Sequence, residues 1–592
     1  MANRTARGGA PKQYYRGAAP WLLLAPYLAV TCVFTLYPLL NAAVLAFYQT
    51  NGPASRAFVG VDNFRFLFTD PVFYKALVNT CVFALCSVFI QLPLSLGLSL
   101  LLNAGNSRWK SFFRLVLFSP NLVGQIFVGI LFGVLFTPRY GLINRVIHAL
   151  TGWGLERNWL GEPALVMPAI VLTALWIYVG FNMVYFLAAL QGVDKSLEEA
   201  ARIDGANRFQ VFWNVTLPAM RHVVVFVVIT SIIGSFQLFE LPLALLPVTA
   251  GHGPDNAGLT VVGYLYDVGF NSGDLGLGSA VGWVGGAGDL AGQRHPAAAF
   301  GRGRAGVKVS RLLTALRFTV LCGVAAAVLA PFAWLVAAAF KDKAYLNEYL
   351  FFPPLSEWSG KTMNLDNFRT LFAGDPTIQG TVYFWQYLLN SVFLATVTTL
   401  VQLVFCSAAG YALAKFEFRG KRALMTFMLV SMMIPGALLF APIYELMVKL
   451  HLVDTFTGLI LPTIATAYGC FLFRQACLAV PDEMIDAGRI DGCSELRIYL
   501  TLVMPLVRPM SAAFCLVTFL GTWNAFFGPS VFLHTQSQLT LPVILNRYIG
   551  VYTNQYGVFL AGTLLAIVPP AILFFALEKE FISGLSTGSV KG

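Results

Sequence analysis

Charge is scarce in this chain: Asp, Glu, Lys and Arg make up 11% of its 592 residues, against about 25% in a soluble domain. With 57% hydrophobic residues and a mean hydropathy of +0.70, that scarcity excludes a protein solvated mainly by water. Cysteine motifs are also lacking. The nine cysteines are scattered, most of them inside apolar stretches (Cys81, Cys86, Cys406, Cys470, Cys515), with no CxxC or Cys/His cluster. They read as small buried hydrophobes, which leaves no disulfide framework and no metal site. A phosphate-binding loop is missing as well, because the nearest approach, LSEWSGKT at 355–362, has Leu355 in place of the first glycine. The apolar stretches hold almost no acids, with Glu240 nearly alone, so a gradient-driven transporter would lack its ionisable relay. No catalytic residue is expected.

The charge that is present has a net value of +11. It lies in short basic runs between apolar stretches, a distribution that fits positive-inside anchoring and argues against nucleic-acid binding. Arg4, Arg7, Lys12 and Arg16 precede a first apolar run, 21–47, which is too long for a signal-peptide core. It predicts a retained helix with a cytoplasmic N-terminus. Further apolar stretches lie near 75–103, 112–136, 163–190 and 222–247, then near 314–340, 383–413, 423–447, 455–478, 511–533 and 557–577. Each is long enough to cross ~30 Å of hydrocarbon, so the expected fold is an all-α, multi-pass membrane protein with about eleven clear helices.

The chain is built twice. EAARIDGANRFQVFWNVTLP (199–218) and DAGRIDGCSELRIYLTLVMP (486–505) align at an offset of 287 residues (486 − 199). Arg202/Arg489, Ile203/Ile490, Asp204/Asp491 and Gly205/Gly492 are identical between the copies. VDNFRFLF (61–68) is echoed by LDNFRTLF (365–372), and Asn79 and Gln91 by Asn390 and Gln402. The expected layout is a tail over 1–20, a first module over 21–283 and a second over 311–592. Between the modules, 284–310 reads as a linker. Seven glycines fall between Gly285 and Gly306, with Asp289, Arg294, His295 and Pro296, so a stable sixth helix is not expected there. Synonymous codons for 287–300, read one base later, spell LVTSLVSAIQLRLL, so an out-of-frame segment replacing the missing helix is the second reading.

Each repeated loop predicts two short helices. Ser196 and Glu199 form an S-L-E-E capping box, Pro481 and Asp482 start the second copy, and Gly205 or Gly492 ends the first helix left-handed. Beyond each loop, the same offset pairs SFQLFE (235–240) with TWNAFF (522–527). Phe236, Gln237, Phe239 and Glu240, with Trp523, Asn524 and Phe526, place amides beside aromatic rings and an intramembrane acid. That set suits a sugar's hydroxyls and C–H face, with interhelical hydrogen bonding the competing role for Gln237 and Asn524.

The two loops resemble the EAA loops of ABC importer permeases, particularly the carbohydrate-uptake group related to the maltose permeases. GFNMVYFLAALQGV (180–193), TWNAFFGP (522–529) and GLSTGSVKG (584–592) also look like this group. The first half resembles one permease subunit and the second half its partner, fused into one chain. The resemblance implies a bacterial plasma-membrane permease that moves a sugar or related polyol. It implies an extracytoplasmic solute-binding protein, and an ATPase dimer that holds ATP and Mg and docks on both loops. The docking residues carried over are Glu199, Ala200, Ala201, Asp204, Gly205 and Pro218, with Asp486, Ala487, Gly488, Asp491, Gly492 and Pro505. The change from EAA to DAG predicts a weaker second dock. An ion-driven transporter, or a nonfunctional fusion product short of one helix, are the alternatives.

Overall fold

The computed structural model describes residues 17–53, 55–103, 109–152, 154–292, 311–346, 348–377, 380–432, 436–549 and 555–589. Apart from two short hairpins, Tyr48–Asn51 with Ser55–Phe58 and Asp375–Thr377 with Gly380–Val382, the described elements are helices. Six are long and apolar enough to cross a membrane: Ala19–Leu45, Pro71–Asn103, Pro163–Gln191, Leu316–Phe340, Phe384–Lys415 and Tyr556–Glu578. Four more candidate spans are bent pairs: Lys110–Leu122 with Gln125–Leu135 (97°), Arg208–Ala219 with Arg221–Phe236 (73°), Phe456–Thr463 with Ala467–Leu478 (48°) and Glu495–Leu506 with Arg508–Trp523 (82°).

The duplication holds down to single hydrogen bonds. In the first DNF motif, Asn63 donates to the carbonyls of Ala46 and Tyr48, both at 2.9 Å. In the second, Asn367 donates to Ala339 at 3.0 Å and Lys341 at 2.9 Å. Each side-chain amide thus satisfies the bare carbonyls where the preceding helix ends, a place where orphan acceptors must find donors. Asn79 bonds the carbonyls of Asn256 and Leu259, and Asn390 those of Ser537 and Leu539. The one-residue neighbours repeat the pattern: Thr80 Oγ1 accepts from Val261 N at 3.1 Å, and Ser391 Oγ from Leu541 N at 2.8 Å.

The modules are interlocked. Leu24 and Tyr27, from the first helix of the first module, are buried in one cluster with Ala409, Tyr411 and Ala412 of the second. Phe118 stacks on Phe574 at 4.8 Å, and Arg114 pairs with Glu578 at 3.1 Å. Asn41 Nδ2 donates to Glu445 at 3.0 Å, and Arg56 and Lys449 pair with the same buried carboxylate.

The structure departs from the sequence expectation after residue 274. Leu275–Gly292 is a helix, so the first module's sixth element is formed through Gly292 where a linker or an out-of-frame insert is expected from 284; residues 293–310 lie outside the described residues. Two local causes explain it. Asp274 Oδ1 accepts from the backbone N–H groups of Gly276 (3.1 Å) and Leu277 (3.0 Å), capping the helix start, and from Thr50 N (3.1 Å) of the first hairpin. The glycines are contact points: a Cβ at Gly276 would lie 1.8 Å from the Tyr48 carbonyl oxygen, and one at Gly285 would lie 2.9 Å from Val261 Cγ1. In a membrane, small residues let helix backbones approach closely. That packing offsets the ~0.5–1 kcal/mol helix cost of each glycine.

Candidate functional site

Two parts of the fold carry chemistry: the repeated loops, and a cavity beside the broken fifth spans. In the first loop, Lys195–Ile203 forms the first helix, and its N-cap is Asp194, not Ser196. The carboxylate of Asp194 accepts from Ser196 N at 2.9 Å, which removes the box expected between Ser196 and Glu199. That same bond holds Asp194 below the usual carboxylate range. In the second loop the helix is Asp482–Ile490, with Pro481 at the N-cap, as the sequence predicts. Gly205 and Gly492 are left-handed at φ of +84° and +76°. The N–H groups that follow reach back five residues, Ala206 to Ala201 O at 2.9 Å and Cys493 to Gly488 O at 3.0 Å, a Schellman-type closure that requires the left-handed glycine.

The second helices begin at Asn207, in a capping box with Gln210, and at Ser494. Each then opens into a wide turn, Phe212–Thr216 and Tyr499–Val503, just before Pro218 and Pro505. A proline ring cannot donate to the carbonyl four residues back and crowds it, which widens the turn. The chain then bends by 73° or 82° into the following helix. Each loop is therefore a rigid knob with a fixed corner.

Matched apolar side chains stand on the outside of both knobs. Ile203 and Ile490 are each 86% exposed. Leu197 and Met484, and Phe209 and Leu496, are exposed pairs at the same offset. Glu199, Ala200, Asp204 and Gly205 are exposed in the first loop, as are Asp486, Ala487, Asp491 and Gly492 in the second. Gly488 is not. It is buried, and a Cβ there would meet Leu502 Cδ1 at 3.0 Å and Ile498 Cγ1 at 3.3 Å. Of the change from EAA to DAG, the Ala201-to-Gly488 step therefore acts between the two loop helices, while Glu199 and the shorter Asp486 both stand on the outer surface.

The shared arginine is used differently in the two loops. Arg202 lies 3.6 Å from Glu198, whose other oxygen accepts from Thr216 Oγ1 at 3.0 Å. Arg489 pairs with Glu495 at 2.8 Å and Asp486 at 2.9 Å. Burial would lower the Arg489 guanidinium, but these two carboxylates raise it above its ordinary value. Lys415 ties this loop to the end of Phe384–Lys415 through Asp482 at 2.6 Å and the Val480 carbonyl.

Both fifth spans break where the sequence suggests one continuous stretch. Arg221–Phe236 ends and Glu240–Leu245 restarts, and Arg508–Trp523 gives way to Phe527–Phe532. The breaks meet each other. Glu240 Oε1 accepts from Phe526 N at 3.1 Å and Phe527 N at 3.0 Å, so a first-module carboxylate satisfies the free amides that open a second-module helix. Glu240→Ala leaves two buried N–H groups unpaired, at ~1–3 kcal/mol each. The expected outcome is a clearly lowered thermal unfolding midpoint of the lipid-embedded chain, with Glu240→Gln, which keeps an acceptor, close to wild type.

Beside this contact lies a cavity of about 430 Å³, within the ~300–1,000 Å³ range of ligand pockets. Gln237, Phe239 and Glu240 line it, with Gln91, Gln125 and Asn182 from neighbouring first-module helices. The aromatic wall includes Tyr178, Phe181 and Phe440. Asn524, Trp523, Phe526 and Phe236 are not on the wall. Trp523 is buried and donates to Ala566 O at 3.2 Å, and Asn524 bonds Leu122 O at 3.4 Å against Gly124. The offset pair thus divides: Gln237 faces the cavity, while Asn524 joins helices.

Sequence reasoning missed Gln125 and Asn182, and treated Gln91 only as a mark of duplication. A signal was available. Aligned across the halves, Gln91 matches Gln402, which donates to Thr463 O at 2.7 Å, whereas Asn182 matches Gly469 and Gln125 matches Gly436. The signal is the asymmetry itself: two of the three amides have no counterpart in the other half.

A family model described as "binding-protein-dependent transport system inner membrane component" matches residues 18–249 and again 406–578. The chain belongs to this family. It is a multi-pass membrane transport component and not an enzyme, and its two matches stand in tandem. The arabinooligosaccharides transport system permease protein AraQ of Halalkalibacterium halodurans is 40% identical over 39% of this chain and 81% of its own length. Its counterpart AraP of Bacillus subtilis is 37% identical over 46% of this chain and 85% of its own. The lactose transport system permease protein LacF of Rhizobium radiobacter is 36% identical over 44% and 85%. Among solved structures, a bacterial ABC transporter that imports alginate aligns at a TM-score of 0.40 and 19% identity, over 51% of this chain and 96% of the other.

Proposed function

We propose that this chain is the fused permease of an ABC importer, moving a sugar or related polyol across the bacterial plasma membrane. An ATPase dimer carrying ATP and Mg engages the two loops, at 194–218 and 481–505, from the cytoplasm. An extracytoplasmic binding protein delivers the solute to the other face, and the N-terminus is cytoplasmic. The observation that carries this reading is the pair of matched, apolar-studded knobs, each joined through a fixed bend to a membrane helix. A groove in a partner can pull on such a knob without melting it, and the bend transmits the movement to the fifth span. ATP acts through the dimer's preference for one access state.

The sugar assignment rests on relatives that carry arabinooligosaccharides and lactose, and on a cavity where amides and aromatic rings alternate. The alternatives, ion-driven transport and a nonfunctional fusion short of one helix, are not favoured: the family is binding-protein-dependent, and Leu275–Gly292 is formed. The test uses proteoliposomes containing the full chain with its co-purified ATPase. Uptake is expected to follow ATP supplied on the loop side and to ignore an imposed proton or sodium gradient; uptake driven by a gradient without ATP would sink the proposal.

A further inference from the structure

Four carboxamides converge on the cavity: Gln91, Gln125, Asn182 and Gln237. Gln91 is 4% exposed and Asn182 8%, and among the described residues none of the four side chains has a hydrogen-bond partner. Gln125 is half-buried and Gln237 exposed at the wall, and an amide that lines a cavity without a protein partner is free to bond what enters it. Together they offer donors and acceptors in equal measure, which matches hydroxyl groups.

The charge of the wall is equally informative. Among the described residues no lysine, arginine or histidine lines it, and the one ionisable carboxyl group is Glu240. Phe83, Phe181, Phe239, Phe440 and Phe527 line it as well, beside hydroxyl groups such as those of Ser87 and Ser231. An anion entering such a space gives up its water, meets no cation and faces an acid already committed to the amides of Phe526 and Phe527. An uncharged glycan gives up hydroxyl hydration and regains it from four amides, while its C–H faces pack on the rings.

We infer that the cavity passes uncharged glycans and turns away acidic ones, so that sugar phosphates and uronic-acid sugars are outside this transporter's range. This inference rests on the proposed sugar pathway and narrows its substrate class. The discriminating position is Gln237, which is exposed at the cavity wall.

The test measures binding to the full chain in lipid nanodiscs. The probes are neutral di- and trisaccharides of the arabino, malto and cello series, and uronic-acid disaccharides of matched linkage. At least one neutral probe is expected to bind about tenfold or more tighter than its acidic counterpart, a gap of ~1.4 kcal/mol. Gln91→Leu is expected to abolish that binding with the unfolding midpoint unchanged, and Gln237→Lys to admit the acidic probe. Acidic binding to wild type within about threefold of neutral would overturn the inference, a difference of under ~1 kcal/mol. So would Gln237→Lys leaving acidic binding unchanged. Binding of neither class would instead overturn the sugar reading itself, and the two failures are thereby told apart.

Discussion

Ile203→Glu combined with Ile490→Glu is expected to abolish ATP-driven uptake while leaving the chain folded. Both side chains are 86% exposed, so neither contributes to the core and the unfolding midpoint should not move. Their exposure is the reason to expect a functional loss, because two large apolar groups at equivalent positions have no structural reason to face solvent. If each fills a pocket in one ATPase subunit, a charge at each costs ~2 kcal/mol or more as an interface hot spot. Together, two such losses correspond to about a thousandfold in affinity. Co-purification of the ATPase and sugar-stimulated ATP hydrolysis both report the result. The single variants are expected to show comparable defects, because the outer faces of the loops match at Leu197/Met484 and Phe209/Leu496 as well. Retained co-purification by the double variant would place the dock elsewhere.

Gly276→Val is expected to be strongly damaging to the fold of the first module. The β-carbon would stand 1.8 Å from the Tyr48 carbonyl oxygen, a backbone atom fixed by the first hairpin, so no side-chain rotation relieves the clash. Overpacking costs ~1–3 kcal/mol where neighbours can shift, and more where they cannot. The helix Leu275–Gly292 would have to withdraw from the hairpin, breaking the bond between Thr50 N and Asp274. The measurement is the yield of monodisperse protein in mild detergent together with its unfolding midpoint. Gly97→Val, at a helical glycine with nothing within 4 Å of its β-carbon, is the control and should be far milder. Equal behaviour of the two variants would mean that Leu275–Gly292 is dispensable, and would revive the reading of this region as a linker.

Much of this was legible in the sequence, for physical reasons that differ from place to place. The loops were legible because glycine at +84° and +76°, and proline at the corner, are chemical requirements of the backbone. The DNF echo was legible because a side-chain amide serves the same orphan carbonyls in both halves. Leu275–Gly292 was misread because glycine carries opposite meanings in its two settings. In water it argues against a helix; between membrane helices it permits one. The fifth-span breaks were hidden inside unbroken apolar runs, since Phe239 and Phe526 look the same in a helix and at its interruption. Asn524 was grouped with Gln237 because an offset records common descent, and descent does not record which copy faces the cavity.

The interlock of the two halves has a consequence for how the protein is made. The first described helix, Ala19–Thr31, finds its packing surface on Phe384–Lys415, more than 350 residues later (384 − 31). At ~5–20 residues per second, synthesis leaves that helix without its partner for tens of seconds. During that interval Leu24 and Tyr27 face lipid or a membrane chaperone. Had the halves stayed separate chains, that wait would depend on a collision between two proteins. Joined end to end, it depends only on elongation, and one message delivers both halves in equal number.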